Sequence, residues 1–93
     1  MINLTQRTYN EINNGIARRV VALRKRKKIS QAALAKKSGV SFGSIKRFEQ
    51  TGEISLSSLT KIAIALNAEN DLDSLFADVE FSSIEEIING QSK

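Results

Sequence analysis

Apolar residues recur along most of this chain at steps of three and four, the spacing of helices that each bury one face. Ile12, Ile16, Val20 and Leu23 form the first stripe and predict a helix from about Tyr9 to Lys27. Thr8-Tyr9-Asn10-Glu11 opens it in the form of a capping box, while Asn13, Asn14 and Gly15 weaken its first turns. Ser30 stands where a second helix needs an N-cap, and Gln31 to Ser38 are good helix formers with Leu34 and Ala35 on a small apolar face. Gly39 follows where a helix ends in a left-handed residue. Beyond Val40, Ser41 is placed to cap a third helix that buries Ile45 and Phe48. That helix turns Phe42, Gly43, Ser44, Lys46, Arg47 and Gln50 to its other sides.

Gln50-Thr51-Gly52 then breaks the pattern. Ser55 caps a fourth helix, with Ile54 before it as a hydrophobic staple for Leu59. Leu59, Ile62, Ala63 and Leu66 carry that helix to about Asn67, and Asn70 or Asp71 caps a fifth helical turn bearing Leu72, Leu75 and Phe76. The fold predicted is all-α, with five short helices around Leu34, Val40, Ile45, Phe48, Leu59, Ile62 and Leu66. Residues 1–76 make up this domain, and residues 77–93 are an extension. In the extension, Val79-Glu80-Phe81 alternates as a short strand does, and Ser82 to Ile88 has the caps and apolar spacing of a helix ended by Asn89-Gly90. Two readings fit its isoleucines: the helix folds back over its own domain, or it offers a surface to a partner.

The central stretch, residues 30–50, also carries a specific series. It runs Gln31-Ala32, Leu34-Ala35, Ser38-Gly39-Val40-Ser41 and Ser44-Ile45-x-x-Phe48-Glu49. It continues through Gly52-Glu53-Ile54-Ser55 and Leu59-x-x-Ile62-Ala63-x-Ala65-Leu66. The full series resembles the helix-turn-helix of the lambda-repressor-like (Xre/Cro) family of transcription regulators, over roughly residues 16–76. The resemblance implies a five-helix DNA-binding domain whose second motif helix enters the major groove. Matched by position, Ser41, Phe42, Gly43, Ser44, Lys46 and Arg47 are expected to face the DNA, and Gln31 to contact a phosphate. Arg47 is the residue for a bidentate contact to guanine, and Phe42 for a thymine methyl. Gly43 stands where relatives often carry a base-reading side chain, which leaves the code poorly defined.

Charge sharpens this picture. Up to Gln50 the chain has twelve Lys and Arg against Glu11 and Glu49, a net of +10; from Thr51 on it has two Lys against eight acids, a net of −6. A chain so divided directs one end to a polyanion, and here the basic half contains the helix-turn-helix. The run Arg24-Lys25-Arg26-Lys27-Lys28 admits three readings: phosphate contact, a solvated surface, or a basic amphipathic helix for a membrane. Phosphate contact is favoured, with Lys27 and Lys28 in the interface; no aromatic residue supports the membrane reading.

Composition narrows the functions further. The 93 residues form one domain and include no cysteine and no histidine, so zinc fingers, disulfides, thiol nucleophiles and His-based triads are absent. No catalytic constellation emerges, and no metal or cofactor is called for. No apolar run is long enough to span a bilayer, and Met-Ile-Asn-Leu-Thr-Gln-Arg lacks the form of a signal peptide, so the cytoplasm is the expected location.

Two functions follow from the resemblance. One is a homodimeric repressor on a palindromic operator of double-stranded DNA. The other is an antitoxin that joins the same domain to a surface holding a protein toxin and regulates its own operon. Leu75, Phe76, Val79, Phe81, Ile84, Ile87 and Ile88 are the candidate dimer or partner surface for either.

Overall fold

The computed structural model describes residues 6–78, which form five helices and no strand. These are α1 (Tyr9–Arg26), α2 (Gln31–Ser38), α3 (Phe42–Thr51), α4 (Leu56–Ala65) and α5 (Glu69–Asp73). The expected strand at Val79 to Phe81 and the helix after Ser82 lie outside the described residues.

Local chemistry sets most of the boundaries. Thr8 and Glu11 close the capping box on α1: the Glu11 N–H donates to Thr8 Oγ1 at 3.2 Å and the Thr8 N–H to Glu11 Oε1 at 3.3 Å. Ser30, Ser41 and Ser55 cap α2, α3 and α4 in the same way, each accepting from the N–H three residues on. The first turns of α1 form in spite of Asn13, Asn14 and Gly15. Neither Asn70 nor Asp71 caps α5; both lie inside it, and Ala68 precedes it with no side-chain cap. The chain enters α5 directly from the end of α4, where the Ala68 N–H reaches back to the Ala63 carbonyl at 2.8 Å and the Asn67 N–H to that of Ile64 at 3.0 Å. Asn67 takes the left-handed conformation that this ending requires, at φ 56°.

The core is Ala17, Leu34, Val40, Ile45, Phe48, Ile62, Ala65 and Leu66, with Leu59 partly buried at its edge. Phe48, Leu34, Ile45, Ile62 and Leu66 are its largest fully buried side chains. Truncating a buried aromatic such as Phe48 costs about 3–5 kcal/mol, so α3 owes its position to its inner face. On α1 the buried centre is Ala17, while Ile16, Val20 and Leu23 flank it and Ile12 remains 41% exposed. A small residue at the centre lets the α1 backbone come close to its neighbours, and the larger ones then pack to either side.

Two glycines end α2 and α3, both left-handed: Gly39 at φ 79° and Gly52 at φ 78°. They differ in surroundings. A Cβ on Gly39 would meet nothing within 4 Å, whereas one on Gly52 would lie 2.9 Å from the Asn13 carbonyl carbon and Cβ. Gly52 is therefore both the stop of α3 and the seat on which the start of α1 rests. Gly39→Ala is expected to cost about 1 kcal/mol, the left-handed penalty alone, and Gly52→Ala at least about 2 kcal/mol. Urea unfolding midpoints would measure both; equal losses would mean that the α1–α3 approach does not need the missing side chain.

Candidate nucleic-acid interface

The interface is set from beneath by one buried carboxylate. Glu49, near the end of α3, accepts from Arg24 Nε at 2.8 Å on Oε2 and from Arg24 Nη2 at 2.9 Å on Oε1. Gln31 Nε2, at the start of α2, adds a bond to Oε1 at 2.8 Å. The third nitrogen of Arg24, Nη1, donates to the Ile29 carbonyl at 2.9 Å. The two charged side chains are 9% and 8% exposed, and no buried side-chain polar atom among the described residues lacks a partner. Both oxygens of the acid and all three nitrogens of the guanidinium are thus engaged, the condition under which a buried ion pair is tolerated.

This corrects the reading of the basic run. Arg24 belongs to the interior and does not reach a phosphate; its neighbours Lys25, Arg26, Lys27 and Lys28 are exposed. Helix phase explains the difference, since Arg24 is seven residues from Ala17 and falls on the same buried face. Lys27 caps α1, and Lys28 follows in the left-handed region at φ 59°. The Ile29 and Lys28 N–H groups close this end on the Arg24 and Lys25 carbonyls at 3.1 and 3.0 Å. A lysine there holds its charge in the turn between α1 and α2 at a conformation that glycine adopts more cheaply.

The outer side of α3 carries the expected residues. Phe42, Gly43, Ser44, Lys46 and Arg47 are all exposed, as is Ser41 at the cap. The Ser41 hydroxyl accepts from the Ser44 N–H at 3.1 Å and donates to Ser44 Oγ at 2.7 Å, which fixes both at the helix start. Lys46 Nζ lies 5.4 Å from the centre of the Phe42 ring, so one face of that ring carries a cation. A Cβ on Gly43 would meet nothing within 4 Å, and its bare backbone faces outward. Arg47 Nη2 donates to Glu53 Oε2 at 2.6 Å in an exposed pair. Gln31 is half-buried, with one amide N–H spent on Glu49.

Two side-chain pairings do not follow from the motifs, that of Arg24 with Glu49 and that of Arg47 with Glu53. Arg24 was hidden in its basic run, although Glu49, one of two acids before Thr51, signals a need for a partner. Glu53 lies past the helix end, where spacing along α3 says nothing of it. Leu75 and Phe76, by contrast, are exposed at 51% and 94% as a free surface requires. Val79, Phe81, Ile84, Ile87 and Ile88 lie outside the described residues. No helix among the described residues is long and apolar enough to cross a membrane.

A family model described as helix-turn-helix matches residues 20–69, more than half of the chain. Searches among curated proteins and among solved structures found no match. The matched span runs from the middle of α1 to the start of α5 and contains Arg24, Gln31, Glu49 and the outer side of α3.

The buried pair separates two kinds of basic residue. Arg24→Ala strands the Glu49 carboxylate and is expected to lower unfolding free energy by about 3–5 kcal/mol. Lys27→Ala, on the surface, is expected to change it by no more than about 0.5 kcal/mol. Chemical denaturation of the two variants checks this, and a mild effect of Arg24→Ala would remove the pair from the account of the fold.

Proposed function

The chain belongs to the lambda-repressor-like (Xre/Cro) helix-turn-helix family of DNA-binding regulators, and on that premise we propose that it is a repressor that binds a palindromic operator as a homodimer. The observation that carries the base-reading part is the outer side of α3, where Ser41, Phe42, Gly43, Ser44, Lys46 and Arg47 are presented together over a packed inner face of Ile45 and Phe48. Arg47 reads a guanine through paired N–H groups, and Phe42 meets a thymine methyl. Gly43 lets the backbone of α3 come close to the groove. Lys27 and Lys28, at the end of α1, and Gln31, at the start of α2, contact the phosphates that set the register.

One recognition helix reads only a few base pairs, too little for a unique site, and a two-fold pair places two such helices about 34 Å apart. Leu75 and Phe76, exposed just beyond α5, support pairing there. Leu75 also lines an apolar cleft of about 290 Å3 with Ile16, Val20, Leu59 and Leu72, so the apolar surface there is continuous. In the proposed dimer Val79, Phe81, Ile84, Ile87 and Ile88 extend that surface, with Glu80, Glu85 and Glu86 at its rim. The same surface would serve the antitoxin reading, with a toxin in place of the second copy.

Selection of bound duplexes from a random pool would give the operator, its symmetry and its half-site spacing. On that operator, Arg47→Ala is expected to cost about 1–3 kcal/mol and to relax the choice at one base pair. Lys27→Ala should weaken all duplexes alike and reduce the slope of log K against log salt by about 0.9. A wild-type slope near zero in a salt titration would defeat the DNA reading.

Deleting residues 77–93 is expected to leave a folded monomer that binds a half-site weakly. Sedimentation decides the matter: a dimer that survives the deletion puts the pairing surface elsewhere and frees the extension for another partner.

A further inference from the structure

Arg47 and Glu53 meet at the side of a hollow of about 370 Å3 beside α3, which Ser44, Ser55 and Ser58 also line. Their contact is part of a closed set of hydrogen bonds. The Thr51 hydroxyl donates to the Arg47 carbonyl at 2.7 Å, the Glu53 N–H donates to Thr51 Oγ1 at 3.1 Å, and Arg47 Nη2 donates to Glu53 Oε2 at 2.6 Å. Gly52, buried and left-handed between Thr51 and Glu53, fixes the direction in which the chain leaves the helix. Glu53 is therefore held by backbone as well as by its own partner.

A carboxylate at this place is unexpected on charge alone. It lies beside the basic outer side of α3, where a negative group repels the phosphates of every duplex. Its geometry offers a reason. The bond to Glu53 takes one N–H of Arg47 Nη2; among the described residues Nε, Nη1 and the second N–H of Nη2 have no partner. A guanidinium tethered at one corner keeps a free edge for a base, and it gives up less rotamer freedom on binding than an untethered one.

We propose that Glu53 is a positioning residue for base readout, which weakens binding to DNA at large and strengthens the preference for the base pair that Arg47 selects. The inference rests on the base-reading role given to Arg47 above, and the test keeps the two apart. Affinities would be measured by titration for the selected operator, for the operator changed at the base pair that Arg47 selects, and for random duplex. The proteins are the full chain, Glu53→Ala, Glu53→Gln, Arg47→Ala and the double variant Arg47→Ala/Glu53→Ala.

Glu53→Ala is expected to bind random duplex a few-fold more tightly, by loss of a repelling charge. Its preference for the selected base pair should fall roughly two- to fivefold, a part of the roughly 5- to 150-fold that a bidentate contact carries. Glu53→Gln, which keeps an accepting oxygen, should bind random duplex as Glu53→Ala does and yet retain most of the preference. With Arg47 already replaced by alanine, Glu53→Ala should leave the preference unchanged.

A uniform gain on all duplexes for Glu53→Ala, with the preference intact, would overturn the proposal and leave Glu53 a repelling charge. So would a loss of preference as large for Glu53→Gln as for Glu53→Ala. If Arg47→Ala alone leaves the preference intact, the base-reading role of Arg47 fails first and the positioning role falls with it.

Discussion

The domain turns on the buried carboxylate of Glu49 and the groups that gather on it. Burying two charges costs several kcal/mol each before their attraction is counted, so a hydrophobic pair of the same volume would stabilise the fold as well or better. An apolar contact, however, tolerates rotation and sliding, and hydrogen bonds to a carboxylate do not. Arg24 from α1 and Gln31 from α2 meet Glu49 of α3 at 2.8–2.9 Å, so three helices share one fixed point. Glu49 lies two residues past Arg47, about 200° round the helix at 3.6 residues per turn. Holding Glu49 inward therefore holds Arg47 outward.

Much of this was legible in the sequence because it is local. A serine cap and its N–H lie three residues apart, and a glycine stop needs only its own backbone, so α2, α3 and the start of α4 follow from short stretches. The stripe of Leu34, Ile45, Phe48, Ile62 and Leu66 was equally plain from its spacing. Long-range pairing was not. Arg24 stood in a run of five basic residues that composition treats as equivalent, while its partner lies 25 residues on. The wheel of α1 centred on Ala17 separates Arg24 from the rest, but alanine is too small to announce itself as a core residue. Apolar size pointed to Ile12 instead, which is exposed. The junction of α4 and α5 misled in a related way: Asn70 and Asp71 are good caps by type, yet the ending at Asn67 leads straight into α5.

The same distinction divides the positive charge. Of the twelve basic residues before Thr51, Arg24 is structural and takes no part in a field that attracts DNA. Lys25, Arg26, Lys27, Lys28, Lys36 and Lys37 are exposed on α1, α2 and the turn between them. Charges of this kind draw a polyanion without regard to its sequence, and salt screens them alike. Net charge already cancels Arg24 against Glu49, so the total of +10 stands without the buried pair, yet it says nothing of which sequence the exposed charges prefer.

Sequence preference needs a further condition, and among the described residues the outer side of α3 is suited to it. A base edge is read by donors and acceptors whose directions are settled before contact, because a freely rotating side chain finds a partner on any base. Two cations on the outer side of α3 have such partners, Lys46 over the Phe42 ring and Arg47 on Glu53. In both cases the partner is weak in water: an exposed ion pair contributes up to about 1 kcal/mol, and an exposed cation–π contact about as much. That weakness suits the purpose. A stronger tether would compete with the base for the same donors, whereas these contacts narrow the range of directions and leave most of the guanidinium free. The strong ion pair lies beneath α3 and sets where the helix points; the weak one lies on its outer side and sets where an arginine points.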